Sequence, residues 1–598
     1  AGSGGVVLIT TKQAKAGKMK VDVNGWGGFQ QAWRTPKVLT SEQFNKVWAD
    51  ASAAAGRPLP NPTYDPIQFP YGNVTRTDWV DEIFQRGKMQ HYDLTIRGGS
   101  GSMKALASVS YDEVEGAIIT TKNKKLTSRL NLDVNLTKWL EVSQHTLFDF
   151  NNGRSGIGDG HTGVIFGAMA YPRFATVREY DADGNELYGG TVPRWALADG
   201  FSVEADLRNP VAMLEKVLQN NPSNRLFSKT SLRIKPLPGL QFRSEIANEI
   251  SNSRGESFQM RFLEPGRTID QNYRTISNSL NTSYNWDNIL TYNKTFNSVH
   301  DLQVLAGFVV SNRERRYNWA EVKNYAIESP YQAIFNLGSD WSTRPTESIE
   351  QERLVSALGR LSYSFDNRYF VTASLRRDAS SKLSPTDNSD IFPAVSASWK
   401  ISSEKFMESL DEVSLLKLRA SWGQVGSVAS VRPFIYAPPY QTTGWPLFLG
   451  LNGGVQAFGL YQPTIPNPNL KWERTEMLNF GVDLALFNNA LNITADYFVK
   501  TTKDLIESMP MPSVAGVASP PEFNIGQVEN KGFEFTINYN KRVGQVNLNI
   551  GGNLGTYKNK VISIGETEFI QHGNGVNSMQ PLRSTAGQPW HSFYLIQS

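Results

Sequence analysis

Apolar and polar residues alternate along most of this chain, with the two-residue period of strands that show one face to an apolar medium and one to water. Near the C-terminus Phe533, Phe535, Ile537 and Tyr539 alternate with Glu534, Thr536 and Asn538, and after Asn540-Lys541-Arg542-Val543-Gly544 the pattern resumes as Val546, Leu548 and Ile550 against Asn547 and Asn549. The pair before it runs Phe480, Val482, Leu484, Leu486, then Phe487-Asn488-Asn489-Ala490, then Leu491, Ile493, Ala495, Tyr497 and Val499. Asn tolerates positive φ, so the Asn-Asn pair supplies the turn. Further tight turns are expected at Asp366-Asn367-Arg368, 293–298, 236–239, Thr137-Lys138 and 98–102, with a longer one at 402–414. Between them lie connections expected near 32–89, 151–224, 311–350, 424–474 and 501–529. Short turns on one side and long loops on the other describe an all-β, antiparallel transmembrane β-barrel, with turns facing the periplasm and loops facing outside. About seventeen strands are expected; bacterial single-chain barrels close with an even number, so the reading is of a fragment.

Strand length fits a membrane: roughly 10 residues at ~3.3 Å each, tilted by ~40°, span about 25 Å. Aromatics recur where strands meet turns, at Trp139, Tyr363, Phe365, Tyr369, Phe487 and Tyr539, as an interfacial girdle requires.

Composition narrows the classes. No apolar run approaches the ~20 residues of a spanning helix, so a membrane reading requires a barrel. A net charge of +4 spread over 598 residues gives no nucleic-acid footprint. With no cysteine there are no disulfides. The start, Ala1-Gly2-Ser3-Gly4-Gly5, has neither a basic n-region nor an apolar h-region, so an export signal is expected upstream.

At Gly4-Gly5-Val6-Val7-Leu8-Ile9-Thr10-Thr11-Lys12 the chain resembles the last plug strand of SusC/RagA-type TonB-dependent outer-membrane transporters. Collinear matches follow at Thr77-Asp78-Trp79-Val80-Asp81-Glu82-Ile83-Phe84, at Leu375-Arg376-Arg377-Asp378-Ala379-Ser380-Ser381, at Phe392-Pro393-Ala394-Val395-Ser396 and at Leu416-Lys417-Leu418-Arg419-Ala420-Ser421-Trp422-Gly423. Asn467-Pro468-Asn469-Leu470-Lys471-Trp472-Glu473, Asp496-Tyr497-Phe498 and Asn530-Lys531-Gly532-Phe533-Glu534 are similar to later family signatures. The resemblance implies a 22-stranded barrel around an N-terminal plug, with residues 1–17 the end of the plug and 18–598 an incomplete barrel. Gly5, Val6, Val7, Leu8 and Ile9 would form the plug-terminal strand; most of the plug, the TonB box and about five C-terminal strands are expected to lie outside the chain. It also implies a SusD-like lipoprotein lid, coupling to the TonB complex, contact with outer-membrane lipid, and an oligosaccharide or oligopeptide substrate.

Motifs of covalent or metal chemistry read as turns and loops. The six histidines have no metal-ligand spacing. Arg97-Gly98-Gly99-Ser100-Gly101-Ser102-Met103 lacks the ending of a phosphate loop and sits between strands. Asp181-Ala182-Asp183-Gly184-Asn185-Glu186 is half of a calcium loop at most, and Ser402-Ser403-Glu404-Lys405 has no partner motifs. No catalytic residue, metal site or cofactor is expected.

The long loops are rich in aromatics, which stack on ligands or fill small loop cores. The candidate ligand contacts are Trp195, Trp319, Tyr331, Trp341, Tyr440 and Trp445. The function this supports is TonB-dependent import of a nutrient across the outer membrane. An adhesin or structural barrel, a solitary siderophore-type receptor and a secreted all-β carbohydrate-active enzyme are the competing readings.

Overall fold

The computed structural model describes residues 17–56, 76–154, parts of 163–193, 207–262, 268–329, 333–442, parts of 447–457, 459–509, parts of 511–520, 521–573 and 580–594. Seventeen long strands form one antiparallel sheet. In chain order they are β1 (Gly17–Gln30), β2 (Gly87–Gly99), β3 (Met103–Glu115), β4 (Lys122–Asn135), β5 (Leu140–Arg154) and β6 (Val217–Leu237). Next come β7 (Leu240–Gln259), β8 (Tyr273–Phe296), β9 (His300–Tyr325), β10 (Thr346–Phe365), β11 (Tyr369–Ser380) and β12 (Ser389–Lys400). The last are β13 (Val413–Ser427), β14 (Glu473–Leu486), β15 (Leu491–Ser508), β16 (Glu522–Val543) and β17 (Val546–Ser563). Each pairs with the next in sequence, and a three-residue strand, Gly338–Asp340, adds to the end of β9. No described helix is long and apolar enough to cross a membrane.

The connections alternate as the sequence pattern predicts. At one end they are 100–102, 136–139, 238–239, 297–299, 366–368, 401–412, 487–490 and 544–545. At the other they include 31–86, 155–216 and 428–472. The tight turns are made by residues that accept a left-handed backbone: Asp366 and Asn367 at φ near 50°, Asn488 at 55° and Asn489 at 64°. Gly239 has φ +82°, and a Cβ there would lie 2.2 Å from the Asn293 carbonyl oxygen, so a side chain is excluded twice over.

Three expectations need correction. Strands run from 12 to 26 residues rather than about 10, and the loops expected at 311–350 and 501–529 shrink to 326–345 and 509–521. On β9 and β10 both strand faces are mostly polar beyond the apolar zone, so no alternation marks a strand there, while the ladder continues through backbone hydrogen bonds; on β15 register shifts between Thr502, Leu505 and Ile506 interrupt the period. The turn expected at 293–298 likewise tightens to 297–299 because β8 runs to Phe296.

The two faces of the sheet differ. On β9 the outward positions Leu302, Val304, Ala306, Phe308 and Val310 are apolar, and Asn312, Glu314, Arg316 and Asn318 follow them on the same face. Their partners on β10 are Tyr363, Leu361, Gly359, Ala357 and Val355, then Arg353, Gln351, Ile349 and Glu347. Ten steps from 300 to 310 at ~3.3 Å each, tilted ~40°, give about 25 Å, the height of the apolar band of such barrels. Residues 311–325 of β9 therefore stand above it.

An aromatic girdle closes the band on the turn side. Tyr369 stacks on Trp399 at 6.4 Å and on Phe365 at 6.3 Å, and the His300 ring lies 5.0 Å from that of Phe365. Glu404, in the 401–412 connection, accepts hydrogen bonds from the Tyr369 hydroxyl at 2.6 Å, the Trp399 indole at 3.0 Å and Arg368 at 3.1 Å. Those donors, Tyr369 first, hold its carboxyl below the usual range.

Candidate functional site

The site is the inner face of the strands and the loop-side mouth above it. At the level of the apolar band, the inner face carries ion pairs between neighbouring strands. Arg419 of β13 bonds both carboxylate oxygens of Asp483 at 2.9 and 3.0 Å and both of Asp496 at 3.1 Å. Gly481 lies between Arg419 and Asp496 in the register. A Cβ on Gly481 would come within 2.4 Å of Asp496 Oδ1 and 2.6 Å of an Arg419 nitrogen, so the network exists only because this position has no side chain. Arg225 with Glu249 at 2.9 Å and Arg233 with Glu141 at 2.8 Å extend the same chemistry across β5–β7, and a His145–Asp133 hydrogen bond at 3.0 Å joins β4 to β5. Facing inward, these charges make a wettable wall; facing lipid, each would carry a large transfer cost.

The same wall holds a cavity of about 650 Å³ across β11–β16, where Thr372, Ser396 and Asn479 line it together with Trp422, Met477 and Phe498. A second, of about 480 Å³, lies nearer the mouth on β7–β10, where Ser253, Ser277, Ser279, Asn281, Tyr317 and two arginines meet.

Above the sheet the loops have packed cores of their own. Helix α1 (Ser41–Ala55) lies in the first long loop and α2 (Trp79–Ile83) follows it. α3 (Val164–Ala170) and α4 (Pro210–Glu215) belong to the 155–216 connection. α2 opens on an Asp78 cap whose carboxylate accepts from the Asp81 N–H, and α4 on an Asn209 cap with Pro210 at its first position. Trp79, Val80 and Ile83 pack with Val164, Ala168, Tyr171, Val211 and Leu214. The Trp79 and Tyr171 rings meet edge to face at 4.9 Å, and Arg173 bridges to Asp78 at 2.8 Å. Leu383, Phe392, Val431, Ile435, Leu470 and Trp472 form a second core under the 428–472 loop. The family-like segments around Trp79 and Trp472 thus fix loop packing.

Of the predicted ligand contacts, Trp195, Tyr331 and Trp445 lie outside the described residues, as do Gly5, Val6, Val7, Leu8 and Ile9. Trp319 is half-buried on the inner-face register of β9, two residues past Tyr317. Trp341 is tied down: its indole donates to the Gly338 carbonyl at 3.1 Å, and its ring meets that of Phe335 edge-on at 6.0 Å. Tyr440 is 70% exposed in the 428–472 loop, with Phe434 and Leu460 also exposed. Among the described residues no ring contact joins Trp319, Trp341 and Tyr440. The inward charges were passed over by reading loops alone; the strand alternation that marks Phe308 and Val310 as outward also marks Arg313, Arg315 and Tyr317 as inward.

The model of the family described as TonB dependent receptor-like, beta-barrel, matches residues 218–595. The chain belongs to that family. TonB-dependent receptor P3 of Formosa agariphila is 27% identical over 589 residues, covering 96% of this chain and 54% of that receptor. TonB-dependent receptor SusC of Bacteroides thetaiotaomicron is 27% identical over 575 residues, covering 90% of this chain and 52% of SusC. The chain thus spans about half the length of these curated relatives. The solved structure of the RagAB peptide transporter superposes with a TM-score of 0.82 at 21% identity, over 99% of this chain and 66% of that one. The resemblance to SusC/RagA-type receptors read from the sequence therefore holds along the TonB-dependent receptor barrel, and so does the all-β, antiparallel fold.

Proposed function

We propose that this chain is the greater part of the barrel of an outer-membrane importer, driven by the TonB complex, that takes up an oligosaccharide or oligopeptide nutrient. The observation that carries this is the contrast between faces: an apolar outer band about 25 Å tall, against an inner wall that carries ion pairs across β5–β7 and β13–β15. A solute bound at the mouth would pass along that wall once the plug is remodelled from the periplasmic side. No covalent chemistry is needed, and the polar wall replaces part of the solute's hydration. In this reading residues 1–17 end the plug and 18–598 belong to the barrel, and a SusD-like lipoprotein closes over loops such as 428–472, where Tyr440 is exposed. The kinship with SusC supports both assignments.

The test is extraction of the full-length protein from native outer membranes in mild detergent, followed by mass spectrometry of what accompanies it. A stoichiometric surface lipoprotein is the expected result, and an accompanying glycosidase or peptidase would separate sugar from peptide. Recovery of the protein alone would remove the lid. Recovery in the aqueous fraction without detergent would overturn the barrel importer.

A further inference from the structure

We infer that the cavity on the inner face of β7–β10 is a binding subsite for an anionic oligosaccharide, one whose sugar rings carry carboxylate or sulfate groups. The inference rests on the importer reading above and names the substrate class for it.

The first observation is a difference between the two faces of one strand. At the same height on β9 and β10, the outward charges satisfy one another. Arg316 donates to Glu314 at 2.6 Å, Gln351 donates to Glu314 at 2.9 Å, and Arg353 donates to Asn312 at 3.1 Å. The inward Arg313 and Arg315 have no carboxylate within ion-pairing distance among the described residues. Both line the cavity, two residues apart on one strand. Two guanidiniums on one strand face that make no ion pair among the described residues form a site for an external anion, and their planar forks match carboxylate and sulfate oxygens.

The second observation is what surrounds them. Across the ladder, Glu350 stands opposite Arg315 and Glu352 opposite Arg313. Glu352 is engaged by Lys382 at 3.1 Å, which leaves one free carboxylate, Glu350, against two free guanidiniums. The rest of the lining is hydroxyl and amide: Ser253, Ser277, Ser279, Asn281 and the Tyr317 phenol. A carboxylate accepts from sugar hydroxyls, while serines and asparagine both donate and accept, so together they suit a polyhydroxylated ring. No aliphatic side chain lines the cavity to receive the apolar side chains of a peptide. At about 480 Å³ it lies within the range of ligand sites. Gly255 keeps it open, since a Cβ there would lie 2.6 Å from Ser277 Oγ.

The third observation is position. The cavity sits just above the outward apolar band, where Asn312 and Arg353 replace Val310 and Val355 on the lipid side. A solute entering from the loops meets it before the ion-paired wall below.

The experiment uses the purified full-length receptor in detergent, with a panel of neutral, uronate-bearing and sulfated oligosaccharides and acidic peptides, binding being read by calorimetry. The expected result is retention of uronate-bearing or sulfated members over neutral ones, the two arms identifying which anion is read. Affinity should fall roughly 10- to 100-fold in the Arg313→Ala, Arg315→Ala double variant, as expected for lost hydrogen bonds to a charged group. The outer-face variant Arg316→Ala should bind as wild type, and the Arg313→Lys, Arg315→Lys variant should recover part of the loss by charge alone. Preference for neutral sugars or for acidic peptides, no anionic member bound at millimolar concentration, or equal binding by the double variant would each overturn the inference. Membrane extraction and lid co-purification are scored on the same preparations. If those hold while the panel fails, this inference falls alone; if the protein does not extract as a membrane protein, the importer reading falls with it.

Discussion

Residues 302–310 and 311–325 of β9 share one unbroken hydrogen-bond ladder and differ in what their faces carry. In the lower part the outward positions, Leu302 to Val310, are all apolar, and the inward ones are Gln303, Leu305, Gly307 and Val309. In the upper part both faces are polar, with Glu314 and Arg316 outside and Arg313, Arg315 and Tyr317 inside. The medium on the outer face explains the change: lipid admits no unpaired charge, whereas water admits charge on either side. The lower part is stabilised by lipid contact on its outer face. The upper part is free to specialise, and the loops above it depend on their own packed cores.

The largest expected effect tests whether those loop cores are separate from the band. Trp79 is 1% exposed among α2, α3 and α4, so Trp79→Ala should cost about 3–5 kcal/mol within the loop unit. Limited proteolysis of the full-length protein should then cleave faster in 31–86 and 155–216, while the heat-modifiable gel migration of the barrel stays unchanged. Simultaneous loss of both would show that the two levels fold as one.

Next in size is a charge placed in each half of the same face. Phe308→Arg should destabilise the barrel by about 2–4 kcal/mol, and Asn318→Arg by close to nothing. Urea unfolding in lipid vesicles measures both; equal costs would put the membrane boundary in the wrong place. Within the band, Gly481→Leu drives a side chain into Arg419 and Asp496 and should cost about 1–3 kcal/mol. Gly359→Leu is the outward control, since the nearest atom to its Cβ is 4.0 Å away. A cost at Gly359 matching that at Gly481 would mean the inward network is not what makes the glycine necessary.

The smallest effect lies at the turn-side girdle. Hydrogen bonds from Tyr369, Trp399 and Arg368 hold the Glu404 carboxyl below its usual range, so its contribution is present above the unfolded value of about 4.3 and is lost as pH falls through the lower folded one. Trp399 fluorescence followed through acid titration should show this step, and Glu404→Gln should abolish it. A step that persists in the variant would assign it to another group.

Strand identity, the alternation of turns and loops, and the left-handed turn at Asn488-Asn489 were legible in the amino-acid sequence, because each depends on neighbours a few residues apart and on which medium a face meets. The girdle positions Tyr363, Phe365 and Tyr369 were legible for the same reason, while His300 and Trp399 joined them only through cross-strand pairing. The upper reaches of β8 to β10 were not legible, since polar residues on both faces erase the period that would have marked them. Nor were the pairings of Arg419 with Asp483 and Asp496 and of Trp79 with Tyr171. Those contacts join residues far apart in the chain, and register and loop packing decide them. Local chemistry set which residues face lipid, and the tertiary structure alone set which inward charges pair with one another.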